Sequence, residues 1–370
     1  KEAAGLDEDI PAERHFFNKP AWQRGLVFVA GPLFNLVLAF LLYTTLVFFG
    51  GLRDIPFTTI GGILEGSVAS ESGLQVGDRL LSVDGEDVSS WSQVINALEP
   101  LSLADDTTGK ALSVTFDRGG IVQTIELEPV SIASDGYWTN GLEVWNTTVG
   151  LVQQGGKAAD LGLQSGDLIK TVDGIEVSSF GAIARIVNDA PGREIELTWV
   201  RDGIPMSGLV TPQLQEIEPG HSVGRISIER YFESEKVSFA RACQLGAAQT
   251  SDTIVRTVAV LRDGIMGRLG LDAVGGPVRI GQAAGEMLRW SFSHLMYFVA
   301  FFSVNLFLLN LMPIPVLDGG HVLFLVFEVL RGGKPVPERL QAIATQIGLI
   351  ILLLFMTFVI VLDVWKVSGH

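Results

Sequence analysis

The stretch NLFLLNLMPIPVLDGGHVLF, Asn305–Phe324, decides how this chain is read. It is apolar enough to sit in a bilayer. Yet it carries Asn305, Asn310, Asp318 and His321, together with Pro313, Pro315, Gly319 and Gly320. The two prolines remove backbone donors and prevent a regular helix. Irregular backbone at membrane depth survives only when it is buried in protein or lines a polar cavity. A carboxylate there is costly unless it is paired or coordinated, and no lysine or arginine lies between Trp290 and Glu328. Asp318 and His321 are three apart and share a helix face. Asn305 and Asn310 are five apart and need not. These features fit the broken helix of a transporter or a metal site inside the membrane.

Outward from that stretch, three runs can span a bilayer: Trp22–Phe49, Phe292–Val329 with the odd segment in its middle, and Ala342–Leu362. As a helix, Leu26–Phe49 would be roughly 36 Å long, against a hydrocarbon core of about 30 Å. Hydrophobic residues form 48% of the 370 residues and mean hydropathy is +0.38, so membrane segments are expected. The net charge of −15 argues against nucleic acid as a partner. Cys243 is the single cysteine, which leaves no intrachain disulfide and no cysteine-rich zinc site. The sequence starts at Lys1 without a visible signal peptide, so a fragment is expected.

Orientation follows from short basic flanks. Arg14, Lys19 and Arg24 precede the apolar part of the first run, which starts at Leu26, and Arg331, Lys334 and Arg339 separate the second from the third. Both flanks are expected in the cytoplasm, with the long region from Arg53 to Trp290 on the other side. Trp22, Trp290 and Trp365 sit at span ends, as interfacial aromatics do.

That long region contains a duplication. SGLQVGDRLLSVDGEDVSSW (Ser72–Trp91) matches LGLQSGDLIKTVDGIEVSSF (Leu161–Phe180), with equivalent residues 89 apart. So long a period means a repeated domain rather than a solenoid unit. Each copy predicts a strand (Arg79–Val83; Leu168–Val172), an Asp-Gly hairpin turn, and a helix (Ser92–Leu98; Gly181–Val187). Glu194–Val200 alternates as a further strand. The pattern resembles circularly permuted bacterial PDZ domains, which bind an extended peptide end by adding it to a sheet edge. The accepting strands are expected near Ile60–Leu64 and Val149–Gln153. Closed grooves acting as spacers are the other reading. Beyond the repeats, Val237–Asp263 predicts a helix with a broad apolar face. Gly270–Met287, with its GGP at Gly275–Pro277, predicts an elbow at the membrane edge.

With these parts in place, the broken stretch resembles the site-2 protease family of intramembrane zinc metalloproteases, in the bacterial form that carries tandem PDZ domains. The NxxPxPxLDGG pattern is met at Asn310, Pro313, Pro315, Leu317, Asp318, Gly319 and Gly320. GPLFN brings Gly31, Pro32 and Asn35 of the preceding span, and the GGP also fits.

The resemblance implies an α-helical membrane core, three of whose spans are present, with two inserted α+β PDZ domains. The expected boundaries are 1–21 for a cytoplasmic segment, 22–50 for the first span, 56–132 and 140–216 for the PDZ domains. They continue with 237–290 for the helix and elbow, 291–330 for the broken span and 341–364 for the last. It implies zinc held by Asp318, and substrate-facing roles for Asn305, Asn310, Pro313 and Pro315 beside Gly31, Pro32, Asn35, Gly319 and Gly320. Expected partners are the lipid bilayer and single-pass membrane substrates such as an anti-sigma factor, with peptide termini at the PDZ grooves.

One departure is large. The family's HExxH, two zinc ligands and the general base, does not occur in this sequence, whose five histidines are His15, His221, His294, His321 and His370. This chain alone is therefore expected to be inactive, its first catalytic span missing. His321 reads as a packing or supporting residue, because the family's three ligands do not include it. A PDZ-bearing receptor without catalysis is the alternative function.

Overall fold

The computed structural model describes residues 19–102, 111–127, 141–218, 221–268 and 276–367. Residues 1–18, with Arg14, and Gly275 of the GGP lie outside the described residues. The chain divides into two compact units, Gly51–Lys236 and the combination of Lys1–Gly50 with Val237–His370.

The chain enters on α1 (Ala21–Gly50), then passes through β1 (Leu52–Asp54) into the first repeat. That repeat comprises β2 (Ile60–Ile63), α2 (Val68–Glu71), β3 (Arg79–Val83), β4 (Glu86–Asp87), α3 (Trp91–Ser102), β5 (Leu112–Arg118), β6 (Ile121–Leu127) and β7 (Leu142–Val144). The second has β8 (Val149–Val152), α4 (Lys157–Leu161), β9 (Leu168–Val172), β10 (Ile175–Glu176), α5 (Phe180–Asn188), β11 (Ile195–Arg201) and β12 (Ile204–Val210). It is completed by β13 (Gln213–Glu218), β14 (His221–Arg225) and β15 (Ile228–Arg230), and β16 (Glu233–Glu235) returns to pair with β1.

The duplication in the sequence is a duplication in space. Antiparallel sheets of order β4-β3-β5-β6 and β10-β9-β11-β12 have the same connectivity. The Asp-Gly turns carry positive φ at both residues, 47° and 83° at Asp84-Gly85 and 54° and 80° at Asp173-Gly174, the hairpin geometry that residue pair favours. Alternation along β5 and β11 turns Val114 and Phe116, and Leu197 and Trp199, into separate cores. In each copy the aspartate of the Gly-Asp turn is 1% exposed and is gripped by an arginine at the far end of the partner strand. Arg118 Nε and Nη2 reach Asp78 at 2.7 Å, and Arg201 Nε and Nη2 reach Asp167 at 2.7 Å. Burial alone would raise the Asp167 carboxyl. Arg201 and the Gln164 amide outweigh it and hold the group below its ordinary value.

The repeats close differently from their expected limits. Leu142 and Val144 of β7 belong to the first core, which therefore runs past 132. Ile226 belongs to the second, which runs past 216. The reason is pairing: β2 is covered by β7 and β8 by β15. The strands expected to accept a peptide, Ile60–Leu64 and Val149–Gln153, thus already have one edge occupied by this chain.

In the other unit, α6 (Phe239–Ile265), α7 (Pro277–Trp290), α8 (Phe292–Asn310), α9 (Asp318–Leu330) and α10 (Glu338–Val367) follow. Ala21–Gly50, Phe292–Asn310 and Arg339–Asp363 are long and apolar enough to cross a membrane. The second run is therefore two helices, because the prolines at 313 and 315 end α8 before α9 begins. α1 is the hub and packs on α6, α8 and α9. Of the elbow expected at Gly270–Met287, residues 270–275 lie outside the described residues; the rest is helix, and α7 starts with Pro277 at its first turn, where no amide is lost. Its amino end is capped by Asp363 of α10. The Asp363 carboxylate accepts from the Gly276 amide at 2.9 Å and from Val278 and Arg279 at 3.2 Å. A Cβ at Gly276 would lie 2.5 Å from Asp363 Oδ2, which explains the glycine.

Candidate functional site

The break between α8 and α9 folds as consecutive tight turns. The Ile314 amide donates to Met312 O at 2.7 Å and the Leu317 amide to Ile314 O at 2.9 Å. Two glycines make this possible. A Cβ on Gly319 would lie 2.3 Å from Leu311 O, and one on Gly320 2.2 Å from Ile314 O. The loop thus lies flat on the first turn of α9. On its other side α10 holds it: Thr345 Oγ1 donates to Pro315 O at 3.3 Å, and Gly348 leaves room for Val316. The close neighbours of Gly319 and Gly320 are thus the loop's own backbone.

Asp318 is the first residue of α9. A carboxylate there is favoured by the positive end of the helix dipole. Its side chain is half-buried and has no hydrogen bond or ion pair among the described residues. It faces α1, where a Cβ on Gly31 would be 3.3 Å from Asp318 Oδ2. GPLFN and LDGG, 287 residues apart at Gly31 and Asp318, thus meet. Pro32 is buried in α1, and Asn35 lies one turn beyond Gly31 on the same face.

α1 and α9 run antiparallel along one seam. Phe28 stacks on His321 with centroids 4.9 Å apart and planes at 14°. Gly25 faces Leu325 Cδ1 at 3.7 Å. Arg24 Nη2 meets Glu328 Oε1 at 2.5 Å. His321 is therefore a packing residue of this seam. Sequence reasoning missed the Arg24–Glu328 pair. The signal was present: both charges lie just inside their spans, each two or three turns from the Gly31 and Asp318 motifs.

The asparagines separate. Asn305 was expected to face substrate, but its Nδ2 donates to Phe301 O of its own helix at 2.8 Å, the carbonyl one turn back. The side chain of Asn310, the last residue of α8, makes no hydrogen bond among the described residues. Pro313 is exposed beside it and Pro315 half-buried.

Peptidase family M50 matches residues 4–355. The chain belongs to that family. The M50 relatives include regulator of sigma-E protease RseP of Escherichia coli K12, 31% identical over 375 residues, covering 94% of this chain and 80% of that protein. Protease RseP of Yersinia pestis is 31% identical over 374 residues, covering 95% and 82%. Among solved structures, a PDZ domain of an SdrC-like protein of Listeria monocytogenes is 20% identical with a TM-score of 0.20, covering 27% of this chain and 93% of that domain.

The family resemblance implies zinc. Among the described residues no three His, Cys, Asp or Glu come together to hold a metal ion. Asp318 has the character of one ligand: an oxygen donor at a helix end, unpaired and half-buried. A catalytic zinc takes three protein ligands, so the described residues fit one of them.

Proposed function

We propose that this chain carries the Asp318 half of an intramembrane zinc metalloprotease that hydrolyses peptide bonds in or near the transmembrane segment of single-pass membrane proteins. The observation that carries the reading is the unpartnered Asp318 carboxylate at a broken helix, set against the Gly31 element in a member of the M50 family. Asp318 would be one ligand, with the HExxH donors coming from outside the described residues. Bound zinc supplies a polarised carbonyl and a water of lowered pKa. Asn310, with donor and acceptor both free, suits an extended peptide backbone. The turns at 311–317 hold an irregular edge beside it. Such an edge favours unwound substrate, because an intact helix shields its own peptide bonds.

The two repeats read as permuted PDZ domains in the periplasm, with the core in a bacterial inner membrane. Their insertion between spans suits a size filter that admits trimmed stubs, such as a shortened anti-sigma factor or a remnant signal peptide. Asp318→Asn, which keeps shape and removes charge, tests the reading in the full-length protein. Loss of proteolysis with normal insertion is expected. Cleavage near the wild-type rate would refute it and favour a PDZ-bearing receptor.

A further inference from the structure

The seam between α1 and α9 raises a question of register. Gly25, Phe28 and Gly31 recur every three or four residues on α1, as do Asp318, His321 and Leu325 on α9. Contacts of this apolar kind are non-directional. A slip of one turn, about 5.4 Å, would replace them with similar contacts. It would also carry Asp318 away from Gly31. The turns and glycines at 311–320 tie α9 to the end of α8 and to α10, so α9 can slip along α1 only together with α8.

Arg24 and Glu328 can prevent it. Their side chains are each 12% exposed and meet at 2.5 Å. Arg24 Nε also donates to Lys19 O at 3.0 Å, which fixes the direction of the guanidinium. No other ion pair joins α1 to α9 among the described residues. A slipped register leaves two charges unpaired in largely dehydrated surroundings, which is far costlier than exchanging apolar neighbours. We propose that Arg24 and Glu328 are positioning residues that set the depth at which Asp318 meets Gly31. The proposal rests on the reading of Asp318 as a zinc-ligating carboxylate.

The test replaces Cys243 with serine in the full-length protein and places cysteines at Gly25 and Leu325, one step along the seam from the pair. Crosslinking by a short bifunctional thiol reagent then reports register independently of activity. Arg24→Glu and Glu328→Arg should each slow crosslinking and proteolysis at least about tenfold. The double exchange Arg24→Glu/Glu328→Arg should restore both to within a few-fold. Arg24→Lys, which keeps the charge, should give an intermediate rate and covers the case in which the reversed charge fails to insert. Unchanged crosslinking in the single variants, or a double exchange that restores neither readout, overturns the proposal. If Asp318→Asn keeps wild-type cleavage while crosslinking follows the expected order, the catalytic reading fails and the register role stands.

Discussion

An alanine at Gly320 probes the break most directly. The added Cβ would sit 2.2 Å from Ile314 O and 2.5 Å from Pro315 Cα, where ordinary contact begins at 3.4 Å. Both neighbours are backbone, so no rotamer change relieves the overlap, and the loop must recede by roughly 1 Å. Overpacking of this severity costs about 3 kcal/mol. Alanine's better helix propensity returns about 1 kcal/mol. The net loss of about 2 kcal/mol lowers the thermal midpoint by roughly 4–8 °C for a unit of this size. Because the loop carries Asn310, Pro313 and Pro315, cleavage of a transmembrane reporter should fall more than stability does. The assay is thermal unfolding in detergent together with single-turnover cleavage at a temperature where the variant is folded. Gly281→Ala and Gly285→Ala in α7 are the controls, since a Cβ there meets nothing within 4 Å. They should leave both readouts unchanged or raise the midpoint slightly. A Gly320→Ala protein with the wild-type midpoint and rate would refute the packing argument, as would equal losses in the controls.

Asn310→Ala should weaken substrate capture and leave zinc content unchanged; metal analysis showing lost zinc would move Asn310 into the metal shell. Arg201→Ala leaves Asp167 buried without its partner and should destabilise the second repeat at neutral pH, seen as a lowered thermal midpoint. Because the folded Asp167 carboxyl lies below its unfolded value, its stabilisation is present above about pH 4 and is lost as pH falls through the folded value. The acid dependence of unfolding should therefore be shallower in Arg201→Ala, and an unaltered dependence would contradict the assignment. Removal of Gly51–Lys236 should permit cleavage of untrimmed substrates. If only trimmed ones are cut, the size filter is wrong.

Much of the site was legible because it is written in residue types that a bilayer penalises. Pro313, Pro315 and Asp318 in an apolar run have few explanations, and the break falls where the prolines put it. The repeats were legible through the Asp-Gly turns, whose positive φ at two successive residues is a local property. The domain limits were not. β7 and β15 are short, and they join cores begun about 80 residues earlier, a pairing that no local periodicity records.

By itself the sequence determined the three apolar spans, the duplication, the broken segment and the family, since each rests on composition, on local spacing or on a direct match between stretches of sequence. Only the tertiary structure decided which residues Asp318 faces, why Gly319 and Gly320 carry no side chain, and that Asp363 caps the helix after the GGP. It alone joined Arg24 to Glu328, 304 positions away. At Gly319 and Gly320 the excluding backbone is that of the loop just before them; the other three share one physical reason. Steric exclusion and charge pairing act across whichever helices happen to be neighbours, and adjacency in space is fixed by packing rather than by position in the chain.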